Sequence, residues 1–311
     1  MRANNSIIGP KQTVNDEIAS GMFSLNGVGR EISTTGWPPL KVGFALGNLT
    51  YANKFLEVKT YETAPEGIDF SPDGTHLLVM GSTGDAWDQW LCSNPFDVTS
   101  ATYVTTTSSV ESNPKACRWG DNGYKAYTCG NTNDKISYVP LTTAYDISTA
   151  GTEVSSDRLN NLNPNGASDT NPSGLFFKPD GTKVFTCNPT YDNVNEYSLT
   201  GNAWDISSGN MSFENAFSVS SQDTEPHEIF FKPDGTKFYI LGRNQNKVFQ
   251  YSCPTPWSLT NASYDSVSAT LDSTVVGTGL AGLAFSTSGR KLYVIGTTQD
   301  KIFEYSVEAD K

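Results

Sequence analysis

Apolar residues recur along this chain in short alternating bursts, each set against a glycine. Ile68 and Phe70, Cys117 and Trp119, Leu175 and Phe177, Ile229 and Phe231, and Leu283 and Phe285 precede Gly74, Gly123, Gly181, Gly235 and Gly289 at matching offsets. The next burst holds Leu78 and Met80, Tyr127 and Cys129, Phe185 and Cys187, Tyr239 and Leu241, and Tyr293 and Ile295. A third burst ends at Cys92, Leu141, Leu199, Cys253 and Val307. Apolar residues two apart point to one face of a strand, so each repeat predicts three strands, A, B and C, with one buried face. The glycines lie 49, 58, 54 and 54 residues apart.

Turn chemistry agrees with the strand pattern. Ser71-Pro72-Asp73, Lys178-Pro179-Asp180 and Lys232-Pro233-Asp234 run straight into their glycines, with Gly120-Asp121-Asn122 and Ser286-Thr287-Ser288 as looser versions. Proline presets φ, Asp suits the next turn position, and glycine accepts left-handed geometry. A fourth strand, D, is announced by a marker: Phe96-Asp97-Val98-Thr99, Tyr145-Asp146-Ile147-Ser148, Trp204-Asp205-Ile206-Ser207 and Trp257-Ser258-Leu259-Thr260.

Four-stranded units at this period stack as propeller blades, because one unit cannot bury its own faces. The fifth repeat ends at Lys311 without a strand D. Gly47-Asn48-Leu49-Thr50-Tyr51-Ala52 matches the pattern of Trp257–Ala262, and Tyr51–Lys59 follows where that strand belongs. The expected fold is all-β: a five-bladed β-propeller of four-stranded antiparallel blades, closed by an N-terminal strand that completes the last blade. Residues 40–311 form the propeller and residues 1–39 a separate attachment segment.

Composition narrows the partners. A net charge of −12 argues against nucleic acid and anionic lipid, which need clustered Lys and Arg. No apolar run reaches transmembrane length, so no membrane insertion is expected. Met1–Pro10 lacks the apolar stretch of a signal peptide, which predicts synthesis in a cytoplasm. The five cysteines occupy slots that other repeats fill with Leu, Ile, Met or Val, so they read as core residues rather than disulfide or metal partners. No metal and no cofactor are expected. Asp85, Asp134, Asp192, Asn246 and Asp300 stand one per blade at the B–C turn and read as turn residues. His76, Lys125, Lys183, Lys237 and Lys291 form a repeated polar position that blunts turns or pairs with carboxylates.

The repeats differ most where strand A begins. Glu66, Lys115, Ser173 and His227, with the adjoining Glu228, are candidates for a binding rim over the propeller axis. Such a rim suits a sugar or a cation, or general acid–base chemistry by His227 and Glu66. Paired-carboxylate glycosidases need acids on several inner strands, where this chain has Gly67, Ala116, Gly174, Glu228 and Gly282. The expectation is therefore a protein that presents surfaces and is not an enzyme.

The units Phe177–Lys183 and Phe231–Lys237 resemble the repeats of lactonase-like and TolB-like propellers. The longer unit, with Trp204-Asp205-Ile206-Ser207 and Ser218–Thr224, is similar to repeats in bacteriophage virion proteins. Ile8-Gly9-Pro10, Ala19–Asn26 and Thr35–Pro39 are similar to a short module of phage tail proteins. That resemblance implies a tail-associated virion protein that displays the propeller for host-surface adhesion or particle assembly. Its partners would be other virion proteins, through Ile7, Met22, Phe23, Leu25 and Trp37, and a host-surface glycan or protein; oligomerisation is left open. The alternative is a sugar-binding or hydrolytic propeller that uses the axial rim around Glu66 and His227.

Overall fold

A computed structural model describes residues 43–109, 111–162 and 169–307. The chain divides into two units, Met1–Lys41 and Val42–Lys311, and the propeller belongs to the second. Ile7, Met22, Phe23, Leu25 and Trp37 lie outside the described residues.

Strand β1 (Leu49–Glu57) precedes the first complete blade, and the other strands follow in order. Blade one is β2 (Pro65–Phe70), β3 (His76–Gly81), β4 (Ala86–Cys92) and β5 (Ala101–Ser108). Blade two is β6 (Pro114–Gly120), β7 (Lys125–Gly130), β8 (Lys135–Pro140) and the short β9 (Val154–Ser155). Blade three is β10 (Gly174–Phe177), β11 (Lys183–Asn188), β12 (Asn193–Leu199) and β13 (Met211–Ser218). Blade four is β14 (Pro226–Phe231), β15 (Lys237–Gly242), β16 (Lys247–Ser252) and β17 (Ser263–Thr270). Blade five is β18 (Leu280–Phe285), β19 (Lys291–Gly296) and β20 (Lys301–Val307), with β1 as its outer strand.

The ring closes as the repeat requires. Strand β1 pairs antiparallel with β20, from Leu49 opposite Val307 to Glu57 opposite Lys301. The inner strands touch in the order β2, β6, β10, β14, β18 and back to β2. The fold is a five-bladed all-β propeller. Small residues let five strands converge on one axis: a Cβ at Gly67 would fall 2.6 Å from the Cys117 nitrogen, and one at Gly174 would fall 2.8 Å from the Glu228 Cα. Apolar clusters fill the spaces between neighbouring blades, as where Phe70 of β2 packs on Tyr293 of β19.

The marker aromatics have a mechanical role. Phe96, Tyr145, Trp204 and Trp257 each adopt positive φ and lie against the A–B glycine of their own blade. Phe44, at φ 71°, does the same on Gly289. The fifth marker therefore begins at Phe44, not at Gly47, and Leu46 takes the buried slot of Leu259. Gly47–Ala52 has the right neighbourhood but is out of register by three residues. All five cysteines are free and buried. Asp85, Asp134, Asp192, Asn246 and Asp300 all have φ between 47° and 54°, the left-handed turn conformation that Asx residues tolerate.

Candidate functional site

Four inner strands begin with an irregularity of one residue. The ladder passes from Pro65 to Gly67, from Pro114 to Ala116, from Pro226 to Glu228 and from Leu280 to Gly282. The residues left between are Glu66, Lys115, His227 and Ala281. A bulge leaves its extra residue unpaired and re-aims that side chain. Three polar side chains at equivalent points of three blades thus come to one end of the axis.

Lys115 meets Glu66 there, Nζ to Oε1, at 2.5 Å. Both are largely withdrawn from water, with side chains 14% and 4% exposed. Glu66 Oε2 is buried with no hydrogen-bond partner. Burial holds the Glu66 carboxyl above its ordinary range, against the lowering pull of Lys115 and Arg243. Arg243, directly after β15, donates from Nη1 to His227 Nε2 at 2.9 Å and from Nη2 to Thr297 Oγ1 at 3.4 Å. The His227 proton then sits on Nδ1, which faces the Ala281 carbonyl at 3.4 Å. Burial, then the charges of Arg243 and Lys115, push the imidazole down to about 3. It is neutral at physiological pH, and its acceptor nitrogen is occupied. The charge of Arg243 acts on Glu66 and that of Lys115 on His227, so the four residues form one electrostatic cluster.

The other two rim candidates sit differently. The Ser173 hydroxyl donates to the Pro226 carbonyl at 3.1 Å, which ties blade three to blade four. Glu228 is wholly buried and turned to the interior of the ring. Its Oε1 accepts from Leu175 N at 3.0 Å and Ile229 N at 2.9 Å, and lies 3.2 Å from Arg118 Nη2. Arg118 of β6 is a hub that the repeat pattern conceals. It donates to the carbonyls of Leu175 at 2.6 Å, Ile68 at 2.8 Å, Ile229 at 3.0 Å and Leu283 at 3.4 Å, one on the inner strand of every other blade. Asp69 stands beside it, 3.6 Å from Nη1.

Three further carboxylates, one in each of three blades, shape the loops over this end. Glu62 accepts from the backbone of Ala64 and Gly84 at 2.7 and 2.9 Å, joining the segment before β2 to the turn after β3. Glu111 does this for Asn113 and Thr132 at 3.1 and 3.2 Å, and Asp223 for Glu225 and Gln245 at 2.7 and 2.9 Å. The sequence offered a signal for these clips, an acid two residues before the loop backbone it holds in three blades. Arg243 and Arg118 had a weaker one: each is an arginine where the other blades carry none.

One family model and several solved structures are similar to this chain. The family model described as Lactonase, 7-bladed beta-propeller matches residues 47–311. A 6-phosphogluconolactonase candidate from Bacteroides uniformis is similar at 16% identity, over 78% of this chain and 67% of its own, with a TM-score of 0.45. The periplasmic gluconolactonase PpgL of Pseudomonas aeruginosa is similar at 15% identity, over 74% and 64%, with a TM-score of 0.45. A functionally unknown protein from Desulfotomaculum acetoxidans is similar at 13% identity, over 75% and 62%, again with a TM-score of 0.45. This chain therefore spans about two thirds of the length of these structures. No curated protein matches it.

These findings overturn the phage reading. Trp204–Ser207 and Ser218–Thr224, which suggested a virion protein, lie inside the stretch that the lactonase model matches. The expectations of a tail-associated structural or adhesion protein, of placement in a virion and of a chain that is not an enzyme all rested on that resemblance or on the scarcity of inner-strand acids. They fall with it. Of the two resemblances, the one carried by Phe177–Lys183 and Phe231–Lys237 is the one that points the right way. With a single model spanning residues 47–311, the chain belongs to the lactonase family of β-propellers, here in a ring of five blades.

Proposed function

We propose that this propeller hydrolyses the ring ester of a small sugar-derived lactone at the cluster of Glu66, Lys115, His227 and Arg243. One observation carries the reading: Glu66 is paired with Lys115 through Oε1 while Oε2 is left without a partner. A carboxylate held above its ordinary range, with one oxygen free, is suited to take a proton from attacking water. Water adds to the lactone carbonyl, its proton passes to Glu66 Oε2, and the carbonyl oxygen becomes an oxyanion facing the Lys115 and Arg243 cations. Collapse of the tetrahedral intermediate breaks the bond to the ring oxygen. That oxygen leaves with the proton returned from Glu66, and the product is the open hydroxy acid. His227, neutral and accepting from Arg243, orients the guanidinium rather than moving a proton.

The test is acid release from glucono-δ-lactone in a pH-stat, measured above the spontaneous rate with the full chain and with Glu66→Gln. Catalysis by the full chain and a loss of about 100-fold or more in the variant are expected. A full chain no faster than buffer, or a variant as fast as the parent, overturns the reading.

A further inference from the structure

The opposite end of the axis holds a feature that the hydrolytic cluster does not use. Where the inner strands finish and turn into strand B, the ring opens into a funnel of about 380 Å³. Trp119, Tyr145, Phe176, Trp204 and Phe230 are among its lining residues, and Asp69 and Arg118 lie at its floor. This volume suits a small organic molecule. The aromatic lining favours either an apolar body or a cation over the ring faces.

The floor decides between them. Arg118 spends its N–H groups on four carbonyls and Glu228, and its side chain is 4% exposed. Asp69 is the least withdrawn of the charges at the floor, with a side chain 15% exposed against 4% for Arg118. Its Oδ2 accepts from the Trp119 backbone at 2.8 Å, the Phe70 backbone also donates to this carboxylate, and Oδ1 forms a long ion pair with Arg118 at 3.6 Å. One guanidinium faces two carboxylates, Asp69 and Glu228, so the hub carries one negative charge in excess when both are ionised. Two carboxylates that share one counter-charge in a partly dry site are costly to hold ionised, and an incoming cation lowers that cost. An anion meets Asp69 and is repelled; a neutral hydrocarbon strips water from the carboxylate and gives nothing back. The wall already tolerates a cation, since the Arg118 guanidinium carbon sits 5.6 Å from the centre of the Phe176 ring.

We infer that this funnel is a second binding site, distinct from the hydrolytic cluster, for a small organic cation: an ammonium with apolar substituents, caged by the aromatic walls and neutralised by Asp69. The inference does not rest on the hydrolytic reading, because the Arg118 hub separates the two ends of the axis.

Calorimetric titration of the full chain at about pH 8 tests it, with choline as probe and 3,3-dimethylbutan-1-ol, its uncharged carbon isostere, as control. Saturable choline binding at one site is expected, at least about tenfold tighter than the alcohol. Asp69→Asn keeps an acceptor for the Trp119 N–H and is expected to weaken choline about tenfold or more. Phe176→Leu is expected to weaken it severalfold, and Glu66→Gln to leave it unchanged. Absence of saturable binding overturns the proposal, as does an alcohol that binds as tightly as choline. If Asp69→Asn does not fold, Phe230→Leu takes its place, and undiminished choline affinity in that variant overturns the proposal equally.

Discussion

Phe44 donates its backbone N–H to the carbonyl of Gly289 at 2.8 Å, and its ring lies where a Cβ on that glycine would stand, 2.1 Å away. The contact joins the start of the described chain to the last repeat. It copies the contact that Trp257 makes with Gly235 inside blade four. Gly289 also has a φ of 68°, which a side chain resists. Gly289→Ala is expected to cost about 2 to 4 kcal/mol from strain and overpacking together. Phe44→Ala, which leaves a cavity against Tyr239 and Phe285, is expected to cost about 3 to 5 kcal/mol. Urea unfolding measures both. A midpoint unchanged by either substitution would show that the closure does not depend on this contact.

The ring itself was legible because a propeller writes its constraints once per blade. Turn glycines, alternating apolar slots and the D-strand marker are local signals repeated at one period, and the lone strand beside Val307 follows from what the fifth repeat lacks. The register of that strand was less legible. Phe44 is an aromatic without the Asp-Ile-Ser tail that follows Trp204, so the better-looking Gly47–Ala52 drew the alignment. Glu66, Lys115 and His227 were found because blades disagree at their slot. Arg243 and Arg118 were not, since their importance depends on five chain segments converging in space. The mistaken virion reading came from a short N-terminal motif likeness and from repeat similarity, which records blade packing and says little about the axis.

Arg118 is the second point at which stability is concentrated. Arg118→Met removes the donors to four inner-strand carbonyls and leaves Glu228 buried without its counter-charge. The expected loss is about 3 to 5 kcal/mol. Adding Glu228→Gln removes the stranded charge and should recover part of it. Chemical denaturation of the two single variants and the double variant measures the coupling. Strictly additive losses would mean that the two residues do not act as a pair.

Acidity should stabilise the ring. Burial pushes Glu228 up to about 7 and Asp69 up to about 6, despite Arg118 beside both. The folded ring therefore holds protons that the unfolded chain has already released between about pH 4 and pH 7. Stability falls as pH rises through that window, and Glu228 alone contributes a change of about 3 kcal/mol. Urea midpoints at about pH 5.5 and pH 8 check the sign, and Glu228→Gln should flatten the slope. A ring more stable at the higher pH would contradict the assignment.

The thiols should be silent in the native ring. All five cysteines are buried, and burial pushes Cys92 and Cys253 up to about 12 and raises Cys117, Cys129 and Cys187 as well. Only a thiolate reacts with a disulfide reagent. Titration with Ellman's reagent is expected to find no fast thiol in buffer and five in denaturant. A fast-reacting native thiol would locate a local opening between blades.

Lys115 gives the most specific test of the hydrolytic cluster, because its removal changes a rate and a pH profile in linked ways. Its ammonium lowers the Glu66 carboxyl against the raising effect of burial. Lys115→Met leaves burial in place and removes that pull, so Glu66 titrates higher and is protonated over a wider acid range. The general base is then lost earlier on acidification, and the acid limb of kcat/KM moves to higher pH by about one unit. The same variant removes one of two cations facing the oxyanion, which should lower kcat by about 100-fold at the plateau. A residue that merely packed the rim would lower the rate without moving the limb. A pH series of initial rates on glucono-δ-lactone separates the two: a displaced limb supports Glu66 as the base that Lys115 tunes, and a limb that stays in place removes Lys115 from that role.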